Sequence, residues 1–126
     1  MWIFTKDGFF SIVQHKDSPH YMMVRARAKD DLQAAFGPGD ILESVGSDYR
    51  FRKTVPRAVV ADYLKRETYQ LDYESVKDNI DKGEDDRHKM LYSVWAAHMA
   101  LQRGRYDDYD EGDWYDFTWT TSVPTT

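Results

Sequence analysis

One plan appears twice in this chain: strand, turn, a returning strand carrying Arg-x-Arg, then a helical pattern. In the first copy, residues 9–15 alternate in strand fashion and Lys16-Asp17-Ser18-Pro19 supplies turn chemistry. Residues 21–28 return through Val24-Arg25-Ala26-Arg27. Residues 29–36 then set Leu32, Ala35 and Phe36 on one side of a short helix that Gly37-Pro38-Gly39 ends. In the second copy, residues 41–45 read as a strand and Gly46-Ser47-Asp48 as a turn. Residues 49–55 return through Tyr49-Arg50-Phe51-Arg52, and Pro56 opens a helix spaced by Val59, Val60, Tyr63 and Leu64. An amphipathic sheet and two amphipathic helices bury their apolar sides most economically against each other. The expected fold is therefore α+β: a four-stranded, mainly antiparallel sheet in a hairpin-helix-hairpin-helix arrangement, with additional C-terminal helices.

The remaining elements extend this plan. Residues 2–4 read as a short initial strand before the Asp7-Gly8 turn signal. Residues 73–80 read as one helical stretch, broken by Lys82-Gly83-Glu84-Asp85, and residues 86–102 as the longest helix. Its apolar stripe comprises Met90, Leu91, Val94, Trp95, His98, Met99 and Leu101, with His98 expected half-buried. Trp2 and Phe4 are expected in the core. Residues 1–105 are read as a single domain and residues 106–126 as an acidic, aromatic C-terminal extension, docked in part.

A chain of 126 residues suits one domain with a real core and needs no staple. It has no cysteine, which excludes disulfides and fits a reducing, cytoplasmic location. No apolar run reaches the roughly 18 residues of a membrane span. The opening Met1-Trp2-Ile3-Phe4-Thr5-Lys6-Asp7 lacks the progression of a signal peptide. Net charge is −5, unevenly spread: 11 Lys/Arg against 8 Asp/Glu over residues 1–66, and 6 against 14 over residues 67–126. That balance disfavours a general nucleic-acid binder and still leaves room for a local basic patch.

The arginines are the main candidate site. Strand side chains alternate between faces, so Arg25 and Arg27 share one face, as do Arg50 and Arg52. If the two strands pair, four guanidiniums meet on one patch, and like charges opposite each other are unfavourable without a counter-charge. Arg25, Arg27, Tyr49, Arg50 and Arg52 are the candidate anion- or partner-binding residues, with Tyr49 and Tyr21 as stacking candidates. The competing reading is the ordinary polar side of a one-sided sheet. Residues 106–117 interleave six acids with Tyr106, Tyr109, Trp114, Tyr115 and Phe117. These aromatics form a candidate docking segment, expected to lie back on the domain or on a second copy, its acids supplying the charge that the arginines lack.

Other constellations point elsewhere than to chemistry. His88 and His98 are ten residues apart and cannot share a metal, and no HExxH spacing occurs. Asp30-Asp31 and Glu84-Asp85-Asp86 sit where helix capping accounts for them. No nucleophile elbow or phosphate loop is present. No catalytic residue, metal site or cofactor is assigned.

Met1-Trp2-Ile3-Phe4-Thr5 with Gly8-Phe9-Phe10-Ser11, followed by the Val24–Arg27 and Asp48–Arg52 segments, resembles a small family of uncharacterised bacterial and phage-borne proteins. The resemblance returns at Arg87-His88 and Val94-Trp95 and spans residues 1–100. It implies a small domain and brings no catalytic role.

The function expected from all this is a non-enzymatic binding or regulatory protein, phage-related by that resemblance. Its expected partner is a protein or a second copy of the chain, with no membrane. The alternatives are nucleic-acid or phosphate-ligand binding through the arginines, a homo-oligomeric structural protein, and an enzyme of unrecognised type.

Overall fold

The computed structural model describes residues 1–76 and 85–104. Met1–Glu74 form one compact unit, and the residues from Ser75 onward belong to a second. The fold of the first unit is α+β, built on an antiparallel sheet: β1 (Trp2–Thr5), β2 (Gly8–His15), β3 (Ser18–Ala26), α1 (Lys29–Phe36), β4 (Leu42–Glu43), β5 (Phe51–Pro56) and α2 (Arg57–Gln70). The order across the sheet is β1-β2-β3-β5-β4, so the initial strand joins the two hairpins as a fifth, outer strand. The second hairpin is mostly connection. β4 has only two residues, with Leu42 exposed, because little packs against this edge to hold a longer strand.

Strand alternation sorts the side chains onto two faces. Phe10, Ile12, Val24, Ala26 and Val55 face the helices and form the core with Leu32 of α1 and Val60 of α2. Phe36 and Tyr63 close over Phe10, with ring centroids 6.0 and 6.3 Å from it.

Local chemistry fixes the helix ends. Gly37 stops α1 with φ at 84°, and its N–H donates to the Gln33 carbonyl at 3.0 Å. Lys53 donates to the Phe36 carbonyl at 2.7 Å, placing a cation at the negative end of the helix. The helix starts without a side-chain cap, so Asp31 is not the cap that the sequence suggests. It is buried instead, and its carboxylate accepts the Phe9 N–H at 3.3 Å. Gly8 permits this approach: its φ is 141°, and a Cβ there would fall 2.2 Å from the Asp31 carboxyl carbon.

A second buried connection ties the β1–β2 turn to α2. The Tyr63 hydroxyl donates to Asp7 Oδ2 at 2.7 Å and lies 2.7 Å from Thr5 Oγ1. Burial, aided by the Asp7 charge, pushes the Tyr63 phenol well above its ordinary range. Lys6 pairs with Glu67, which raises the Lys6 ammonium pKa. Arg57 reaches back to the Pro19 carbonyl at 2.7 Å and to Gln14 Oε1 at 2.9 Å, holding the β2–β3 hairpin to the start of α2.

In the second unit, α3 spans Asp85–Gln102. Its buried residues are Leu91, Ala96, Ala97 and Ala100, while His98 is exposed and Leu101 is 69% exposed. Of the expected stripe, Leu91 is buried and Met90, Val94, Trp95 and Met99 are half-buried, Ala96, Ala97 and Ala100 join the buried side, and His98 and Leu101 lie off it. Residues 73–76 are not helical, and the rest of the stretch expected to be helical to residue 80 lies outside the described residues. Among the described residues, no helix is long and apolar enough to cross a membrane.

Candidate functional site

The face of the sheet away from the core carries the arginines. Cα pairing runs Trp2 to Ser11, Ser11 to Arg25, Arg25 to Arg52, and Arg52 to Leu42. One row therefore crosses all five strands with Arg25 and Arg52 directly opposed at its centre. Alternation adds Arg27 to this face, two residues beyond Arg25.

Tyr49 lies beneath the cluster. It precedes β5 in a bend, is 4% exposed, and holds the Arg25 guanidinium 4.8 Å and the Arg27 guanidinium 4.4 Å from its ring centroid. Arg27 also lies 5.7 Å from the Phe9 ring. Two cations at one aromatic ring are each attracted by its quadrupole and repelled by each other. The remaining contacts are to neutral oxygens: Arg25 donates to Ser11 Oγ at 2.7 Å, and Arg52 donates to Ser47 Oγ at 2.7 Å and the Tyr49 carbonyl at 3.4 Å. The Nε atoms of Arg25 and Arg52 are buried with no acceptor. Among the described residues, no carboxylate pairs with Arg25, Arg27 or Arg52.

Arg50 stands apart. It pairs with Glu43, with Nε at 2.7 Å and the terminal nitrogen at 2.6 Å from Oε1, and is half exposed. Its charge has a partner that the other three lack among the described residues, so the cluster is Arg25, Arg27, Arg52 and Tyr49. Tyr21 lies opposite Pro56 at the far end of β3, four residues from Arg25, and is exposed. Tyr106, Tyr109, Trp114, Tyr115 and Phe117 lie outside the described residues.

Three aromatics on this face extend the cluster toward β1. Phe4 is paired with Phe9 across the strands, their centroids 4.7 Å apart, and Trp2 meets Phe9 edge-on at 6.1 Å. Trp2 is 73% exposed, which overturns its expected place in the core. The tight turn held the clue. With Thr5 opposite Gly8, counting back puts Trp2 opposite Ser11, on the arginine side.

Chemically, this surface offers several fixed guanidinium donors, a buried ring that orients two of them, and an exposed indole. Such a set can hold an anion. No protein-family model, curated protein or solved structure matches the chain.

Proposed function

We propose that this is a non-enzymatic binding protein whose working surface is the arginine face of the sheet and whose partner is anionic. The observation that carries the reading is the direct opposition of Arg25 and Arg52, with both Nε atoms buried without acceptors and no carboxylate paired with either among the described residues. A buried charged donor without an acceptor costs on the order of 1–3 kcal/mol. Opposed like charges add to that cost. An anion laid across the pair offsets the repulsion, so ligand affinity draws on a cost already present in the free protein. Tyr49 reduces the ordering entropy of binding by holding Arg25 and Arg27 in place beforehand.

A protein partner meets this requirement by presenting carboxylates, and a second copy of the chain has them in residues 106–117. Action in the cytoplasm, where nucleic acids and phosphorylated partners abound, suits a chain without cysteine. The phage-related reading adds no residue to this surface.

The test is calorimetric titration of the full chain at low salt with polyphosphate, heparin and polyglutamate. At least one binds the wild type, and the double variant Arg25→Ala, Arg52→Ala loses that binding while keeping the wild-type circular dichroism. Failure of all three polyanions to bind overturns the reading.

A further inference from the structure

Trp2 has no task in a surface that only neutralises charge. It is 73% exposed at the head of β1, and its one ring contact among the described residues is the edge-on meeting with Phe9. An exposed indole contributes little to a core. It does offer a wide π-face that every nucleobase can use. It stands in the same cross-strand row as Arg25 and Arg52, separated from Arg25 by two strand spacings, or roughly 10 Å.

We infer that the arginine face binds single-stranded nucleic acid, with one base stacked on Trp2 and the backbone phosphates held by Arg25, Arg27 and Arg52. This rests on the anion-binding reading above and names its ligand. A single strand combines the two things the row presents sites for: closely spaced phosphates and unstacked bases. An acidic peptide answers the guanidiniums and leaves the indole unused. A duplex keeps its bases stacked and offers Trp2 nothing. Arg27 is exposed, and its guanidinium is held near Tyr49 and Phe9, at 4.4 and 5.7 Å from their centroids, where it can meet a phosphate. The net charge of −5 opposes a long polyanion, so the complex is expected to be weak and sensitive to salt.

The experiment titrates the full chain with a short oligothymidylate, an abasic strand of equal length, and polyglutamate over a range of salt concentrations. The same titrations are run on a full-length variant with Asp107→Asn, Asp108→Asn, Asp110→Asn, Glu111→Gln, Asp113→Asn and Asp116→Asn, which removes every carboxylate of residues 106–117. With three phosphates engaged, log affinity falls with log salt at a slope of about −2. Trp2→Ala weakens oligothymidylate binding about tenfold and leaves the slope unchanged, since stacking releases no counterion. Arg27→Ala flattens the slope by about 0.7. Trp2→Phe restores part of the loss.

Equal affinity for the abasic strand overturns the inference and leaves the anion-binding reading standing. So does binding of polyglutamate without oligothymidylate in both proteins. Binding of none of these probes, together with none of the polyanions above, overturns both.

Discussion

The two faces of this sheet are built by the same strands and obey different rules. On the helix side, Phe10, Ile12, Val24, Ala26 and Val55 are buried against Leu32 and Val60. Its one charged strand residue in the centre, Lys53, spends its donors on the carbonyls of Phe36 and Gly37 at the end of α1. Every group there has a structural reason. On the other side, two arginines oppose each other directly, their Nε atoms lack acceptors, and a tryptophan stands in solvent. Among the described residues, opposed like charges and donors without acceptors are thus gathered on one face of the sheet. The contrast also explains why the fold tolerates the arginines. The core side supplies the stability that the arginine side uses up.

The largest expected effect tests the asymmetry itself. Phe10→Ala removes a fully buried ring that meets both Phe36 and Tyr63. Loss of transfer energy and the cavity left behind cost about 3–5 kcal/mol. Trp2→Ala removes a larger side chain from the other face and costs under about 1 kcal/mol, because most of that ring is already in water. Urea unfolding of both variants measures the difference. Comparable losses in the two would mean that Trp2 belongs to the core and that the faces do not divide as described.

A smaller effect is expected at the link between the β1–β2 turn and α2. Tyr63→Phe keeps the ring against Phe10 and Phe36 and deletes the hydroxyl shared with Thr5 and Asp7. The loss is about 1–2 kcal/mol near neutral pH. Its pH dependence has a definite sign. Burial raises the Tyr63 pKa in the folded chain above its ordinary value near 10. The stabilisation is therefore complete below pH 10 and declines as the unfolded chain ionises and the folded one does not. Above pH 10, the stability advantage of the wild type over Tyr63→Phe narrows by at most about 1.4 kcal/mol per pH unit. An advantage that stays constant to pH 11 would show that the phenol ionises equally in both states.

Much of the core side was legible in the sequence. Helix α1 occupies the stretch read for it, because Gly37-Pro38-Gly39 leaves the chain no way to continue. Pro56 likewise marks the passage from β5 into α2. That Arg25 shares a face with Arg27, and Arg50 with Arg52, follows from alternation alone; that the two pairs meet comes from the register that sets Arg25 opposite Arg52. What alternation could not give is how charges are settled. Arg50 has the right parity, yet the exposed edge at β4 brings Glu43 to it. Tyr49 was recognisable as a candidate, but its place under two guanidiniums depends on a bend that no period describes. Asp31 at a helix start invites a capping explanation. Only the absence of a Cβ at Gly8 hints that a carboxylate packs there. In α3, Leu91 is buried as its spacing suggests, together with Ala96, Ala97 and Ala100, which residue size alone does not single out.

The smallest expected effect bears most directly on the arginine face. Arg52→Met keeps the aliphatic stem and removes the charge opposite Arg25. Three terms decide the sign. Loss of the bonds to Ser47 Oγ and the Tyr49 carbonyl destabilises, and the second of these is long at 3.4 Å. Relief of cross-strand repulsion stabilises by about 0.2–1 kcal/mol. Removal of the Nε donor, buried without an acceptor, stabilises further. The sum favours the variant by about 0.5 kcal/mol at low salt, and the gain shrinks at high salt as the repulsion is screened. Arg52→Lys keeps the charge and shows no such gain. Thermal unfolding at two salt concentrations reads all of this, and adding polyphosphate raises the melting temperature of the wild type more than that of Arg52→Met. If Arg52→Met instead loses more than about 1 kcal/mol, the guanidinium is satisfied where it stands. The two faces would then differ in composition and not in the purpose of their charges.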